Sequence, residues 1–352
     1  MEAKHLKVGT DKDLYNSILK EINSKLNLDK KKSDRYFLFK ALFYFGLAIL
    51  SYSLIFVLVN PILYVLNFIL FGFITVLLCF NFAHDLSHHS ILKSPFWNNF
   101  FFEFIYTLVG AHPEAWKERH VQSHHFAPNV KGFDTDLSIT GLIRVLPNSD
   151  LKWYHKYQHL YATFAYMSYS LYWVFIKDFL VLNKFAPTGL KQRLRYYFTF
   201  FILKAFYVFY LLILPLYYSQ QPVWLILTAF IVMHLFQSLY TLYTFFITHH
   251  IYDSTYPEVT NEGLIDTSWF MNQVKSSNDF YPFSNVANFI FGGVNCHIAH
   301  HLFPHINHYH YPRLNRILYT RLSEKNIVPS QTSFGGGIIS HLKLLKERGK
   351  PN

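Results

Sequence analysis

From Ala41 to Asn81 the chain carries no Asp, Glu, Lys or Arg, and from Ala205 to Tyr252 it again carries none. About 40 helical residues cover roughly 60 Å, two crossings of a ~30 Å hydrocarbon core. Asn60-Pro61 interrupts the first run and Ser219-Gln220-Gln221-Pro222 the second, and both are turn signals. Each run therefore reads as a helical hairpin, with spans at 36–59, 62–83, 196–218 and 223–248. Composition agrees. Hydrophobic residues make up 51% of the chain and charged ones 15%, where soluble domains carry about a quarter.

Neither hairpin turn holds a Lys or Arg, whereas basic residues crowd the segments outside the hairpins. By the positive-inside rule both turns face away from the cytosol, and 84–195 and 249–352 form a cytosolic helical cap. The surplus of 32 Lys and Arg over 21 Asp and Glu comes with no nucleic-acid-binding signature. It fits anionic lipid headgroups instead. Residues 1–34 are charged, lack an apolar signal-peptide core, and read as a cytosolic lead-in with an amphipathic helix. Leu160–Ile176 is apolar but short and rich in Tyr and Ser, which favours the interface over a fifth span. Lys204, at the margin of the third span, is expected to snorkel to the headgroups. Cys79 and Cys296 have no paired spacing, so neither a disulfide framework nor a thiolate metal site is expected. The fold class is an all-α membrane protein, with one integral-membrane domain over residues 1–352.

Three histidine groups carry the chemistry: His84-Asp85-Leu-Ser-His88-His89, His120-Val-Gln-Ser-His124-His125, and His297-Ile-Ala-His300-His301. His249-His250 adds a pair at the end of the fourth span. Spacings of three and four residues place imidazoles on one helical face, so that one helix supplies two ligands to a metal. Hairpin parity puts every group at the cytosolic surface. His234 and His341 read as packed histidines. So many imidazoles exceed the needs of one zinc and suit two metals with open positions. Zinc, copper, iron and nickel all accept neutral imidazole. Asp85, Asp134, Asp136 and Glu114 are candidates to orient the rings. Lys117, Arg119 and Arg144 read equally as phosphate contacts or as an ordinary basic face.

With these motifs in order, the sequence resembles the membrane fatty acid desaturases, and most closely the linoleoyl-CoA desaturase-like, acyl-lipid branch. The resemblance runs from about Arg35 to Leu318. It includes Gly132–Asp136, Arg144–Pro147, Trp153–Tyr161, Trp269–Gln273 and His300–Pro304. It implies a non-haem di-iron enzyme that uses O2 and two electrons from a separate donor, such as ferredoxin or cytochrome b5, to insert a double bond into a fatty acyl chain. It implies His84, His88, His120, His124, His125, His249, His297, His300 and His301 as ligands. The membrane would be a bacterial inner membrane or the endoplasmic reticulum. His297 stands where front-end enzymes usually have Gln, and Asn272 where relatives often have His. The His-Pro-Gly-Gly haem motif of a fused cytochrome b5 is missing. His305, His308 and His310 break the ligand spacing and are expected to line the surface with Arg313 and Arg316. A hydroxylase or ketolase of the same superfamily shares the histidine pattern. A histidine-rich metal transporter would need ionisable residues along its spans, and before the His249-His250 pair at the end of the fourth span the charge-free runs hold only His234.

Overall fold

The computed structural model describes residues 4–26, 30–137 and 141–351; residues 1–3 and 27–29 of the lead-in lie outside them. The chain forms two compact units. One comprises Asp34–Glu118 and Thr163–Leu242, the other Met1–Ser33, Arg119–Ala162 and Tyr243–Asn352.

Among the described residues four helices are long and apolar enough to cross a membrane: Lys30–Val57, Pro61–Ser87, Leu190–Tyr218 and Val223–His249. Asn60 starts the second. Its Oδ1 accepts from the backbone N–H groups of Ile62 and Leu63 at 3.0 and 3.1 Å, and Pro61 takes the first helical position, where no N–H is needed. Inside the apolar layer, Ser51 Oγ donates to Asn67 Oδ1 at 2.9 Å and Asn67 Nδ2 donates to the Ser51 carbonyl at 2.8 Å. Two polar side chains thus satisfy each other where water is absent. Gln221 Nε2 donates to the carbonyls of Leu58 and Val59 at 2.8 and 2.7 Å, so the two interhelix connections lie side by side.

The second and third spans each contain a π-helical turn, at Cys79–Ala83 and Phe209–Ile213. Pro215 explains the latter: it offers no N–H and crowds the preceding turn, which widens. Lys204 does not snorkel. Its side chain is half-buried, and its Nζ bonds to Asp178 Oδ2 at 2.7 Å and to the carbonyls of Gly110 and Val174 at 2.6 and 2.7 Å. The sequence showed the lysine at the span margin but not the aspartate that meets it. His234 is packed as expected, with Nδ1 on Ser170 Oγ at 2.8 Å and Nε2 on the Tyr207 hydroxyl at 2.9 Å. The apolar stretch from Leu160 breaks at Ser168 into the short helices Gln158–Met167 and Tyr169–Tyr172.

In the other unit the lead-in is part of the core. Helix Gly9–Lys25 buries Leu14, Ile18 and Ile22 against Phe270, Phe303 and the leucines of helix Tyr311–Ser323, and Tyr15 stacks on Phe303 at 5.5 Å. Two short parallel pairs depart from the all-α expectation. Lys4–His5 lies beside Leu264–Ile265, and Asn278–Phe280 beside Ser330–Thr332. Arg144 is a structural residue rather than a phosphate contact: its guanidinium donates to the carbonyls of Ser149, Arg348 and Pro147.

Candidate metal centre

The second histidine group lies on a π-helical turn, Glu118–His124, rather than an α-helix. The backbone N–H of His125 reaches the His120 carbonyl at 3.1 Å, the five-residue bond of that geometry. The wider turn changes which rings are partners. His120 and His125 meet, Nε2 to Nε2, at 3.2 Å, and His300 Nε2 lies 2.9 Å from His125 Nε2. The expected pairing of His120 with His124 on one metal is therefore not observed.

His124 joins a second set, with His249, His297 and His301, and all four are buried. His249 Nε2 lies 2.9 Å from His124 Nε2 and 2.7 Å from His297 Nε2, and His297 Nε2 lies 3.2 Å from His301 Nε2. The far nitrogens explain why these atoms converge. His249 Nδ1 donates to the Ser276 carbonyl at 2.8 Å, His124 Nδ1 to Asp134 Oδ2 at 3.0 Å, and His301 Nδ1 to Gln273 Oε1 at 2.8 Å. All three partners are acceptors, so Nδ1 carries the hydrogen and the neutral ring presents a bare lone pair at Nε2. The lone pairs of His124 and His249, whose Nε2 atoms are 2.9 Å apart, cannot bond to one another, and burial denies them water. A cation reconciles them. At metal–nitrogen distances of about 2.0–2.1 Å, ligands at right angles stand roughly 3 Å apart. The donor set and its spacing fit a metal ion.

Electrostatics follow the same plan. Burial works against a charged His124, but Asp134, aided by Asp136, outweighs it and moves His124 above its ordinary range. Asp134 is buried too. His124 and the backbone N–H groups of Asn129 and Asp136 nevertheless hold its carboxyl below the usual range. Burial, together with His125, His297, His249 and His124, pushes His301 well down, toward the neutral ring that a metal requires.

Of the expected orienting carboxylates, Asp134 touches a ring directly and Asp136 acts by giving its N–H to Asp134. Asp85 Oδ1 lies 4.0 Å from His84 Nδ1. The buried Lys40 is the cation whose field reaches it. Glu114 is exposed, among Glu103 and Arg195. His84 and His88 stand one turn apart at the end of the second span, ring centroids 5.6 Å apart. His250 turns away, with Nδ1 on the Tyr256 hydroxyl and its carbonyl accepting from His341. His305 is exposed as expected, but His308 and His310 are buried, in the turn that leads into helix Tyr311–Ser323, where Asn288 Nδ2 donates to the His308 carbonyl at 2.8 Å. Sequence reasoning missed Asn129, Gln273, Ser276 and Asp279. Asn129 is announced only by an ordinary Pro-Asn turn, and Ser276 acts through its backbone, which leaves no trace in residue type. Asp279, on a short strand, accepts from the Ile298 N–H at 2.9 Å and from the Tyr319 hydroxyl at 2.9 Å, and so holds the start of helix His297–Leu302.

These features define an integral membrane protein whose histidines form a buried, all-nitrogen cluster suited to metal binding. The sequence matches the fatty acid desaturase family over residues 60–332, and the chain belongs to that family. It is 28% identical over 304 residues to an acyl-lipid (8-3)-desaturase of Physcomitrium patens, covering 84% of this chain and 62% of the relative. With an sn-1 linoleoyl-lipid 6-desaturase of Arthrospira platensis it shares 30% over 247 residues, 68% of this chain and 65% of the relative. A Delta(6)-fatty-acid desaturase of Caenorhabditis elegans is 25% identical over 98% of this chain and 78% of its own. The chain thus spans less than two thirds of the length of the first two relatives.

Proposed function

We propose that this protein is a fatty acyl desaturase that inserts a double bond into a long-chain acyl group, with a pair of iron ions held by histidine. The convergence of His124, His249, His297 and His301, with the Nδ1 hydrogens of His124, His249 and His301 committed elsewhere, carries the reading. The names of the relatives favour an acyl-lipid as the substrate carrier. When bound, the iron pair would supply the activation of O2 and the abstraction of two hydrogens from adjacent carbons, with electrons from a separate donor.

The residues of the chain do the rest. His124, His249, His297 and His301 would hold one ion. His120, His125 and His300 would serve the other, with His84 and His88 assigned as ligands by their motif. Asp134, Ser276 and Gln273 fix the tautomer and ring orientation, which raises the basicity of the coordinating nitrogen. An apolar passage would hold the acyl chain in register, since the cofactor does the difficult chemistry and the protein supplies position and exclusion of water. The spans would form two hairpins, a layout supported by the short Asn60 and Gln221 connections lying together. Basic residues outside those turns favour a cytosolic active site in a bacterial inner membrane or the endoplasmic reticulum.

The test is expression, with a reductase system, in a host of simple fatty acid profile. A new unsaturated product with its double bond located, lost in His124→Ala at equal protein level, is expected. A hydroxylated product with no new double bond would refute the desaturase reading. Cysteines introduced at Ser219 and at Glu324 should label from opposite sides of the membrane.

A further inference from the structure

Asn129 is wholly buried and holds a left-handed backbone with φ of 62°, a conformation Asn tolerates better than most residues. Its backbone N–H donates to Asp134 Oδ2 at 2.9 Å, the same oxygen that accepts from His124 Nδ1. Its side-chain Nδ2 lies 3.1 Å from the His249 carbonyl, 3.0 Å from the Thr255 carbonyl and 3.4 Å from the Ser276 carbonyl. The Ser276 carbonyl is the acceptor for His249 Nδ1. One residue therefore touches both groups that orient His124 and His249, as well as the backbone of His249 itself. The two rings come from segments far apart in sequence, yet their Nε2 atoms meet at 2.9 Å. None of the hydrogen bonds of Asn129 reaches His120, His125 or His300.

We infer that Asn129 is a positioning residue that sets the geometry of the His124–His249–His297–His301 metal site, selectively over the site served by His120, His125 and His300. The inference rests on the metal reading above. The carbonyls of His249, Thr255 and Ser276 would otherwise present like dipoles to one another in a buried space, and the Asn129 amide is the donor that lets them share it. With that donor gone, the Ser276 carbonyl can rotate and the His249 ring loses the acceptor fixing its tautomer. The backbone contact to Asp134 keeps His124 nearly in place, so the loss falls on the relation between the two rings.

The full-length chain is purified in detergent, loaded with Fe(II), and compared with Asn129→Gly, which keeps the left-handed backbone and deletes only the amide. Iron per folded chain is measured, together with the rate at which a chelator removes it. Wild type should bind about two ions. The glycine variant should retain one ion at the wild-type rate and lose the other roughly 10–100-fold faster, the usual effect of removing an outer partner of a metal ligand. A purely structural role would lower the melting temperature and leave both release rates of the folded fraction unchanged, and that result overturns the inference. Absence of bound iron in the wild type would overturn the metal reading instead. Should the glycine variant not accumulate, Asn129→Asp, which also tolerates the left-handed backbone and keeps at most one of the two donor hydrogens, is read by the same two rates.

Discussion

At Asp134 a single carboxylate meets His124 Nδ1 on one oxygen and is steadied by two backbone N–H groups. Asp134→Ala should lower metal affinity and product formation by about 10–100-fold, read as iron per folded chain and turnover in the same preparation. Unchanged iron content would remove Asp134 from the site. Asp279 makes a different kind of prediction. Burial pushes its carboxyl up to about 7, against the Ile298 N–H and the Tyr319 hydroxyl that favour its charge. Since the unfolded value is about 3.9, the native state binds the extra proton between those limits. Stability from this group is therefore greatest at low pH and declines as pH rises from about 4 to about 7. Asp279→Asn lacks that decline, so its melting temperature relative to wild type should rise between pH 5 and pH 8. A gap independent of pH would contradict this. The clustered histidines, proposed here as ligands, were legible because histidine at helical spacing is rare and specific. The residues that orient them were not, because Asn129 and Gln273 are ordinary polar residues until the chain is folded, and Ser276 contributes only a carbonyl.

Among the elements, the four long apolar helices were readable to within about six residues at either end, because charge is excluded from a run able to sit in hydrocarbon. The π-helical turn at Glu118–His124 was not, since a spacing of four residues is equally compatible with an α-helix and the regrouping of His120 with His125 depends on tertiary packing. The N-terminal helix was underrated for a similar reason. Its charges describe a solvated face, while Leu14, Ile18 and Ile22 complete a core beneath the third histidine group. Ile18→Ala should cost about 2–5 kcal/mol and lower the melting temperature of the detergent-solubilised chain by several degrees. A melt within 1–2 °C of wild type, less than about 1 kcal/mol would produce, would mean that this helix does not support the core.

For the molecule as a whole, the proposed metal centre ties occupancy to the folded state, because bare lone pairs gathered in a buried site are costly until a cation joins them. Stripping the metal with a chelator should therefore lower the melting temperature as well as abolish turnover, and restoring Fe(II) should recover both. The all-imidazole composition of the His124–His249–His297–His301 set has a further consequence, for supply. Nothing in four neutral nitrogens ranks iron above its competitors; the natural order of affinity favours copper and zinc over Fe(II). On the proposed di-iron reading, fidelity of loading would come from which ion the cell offers while the chain folds. Protein made in zinc-rich, iron-poor medium should emerge well folded, occupied by zinc and silent.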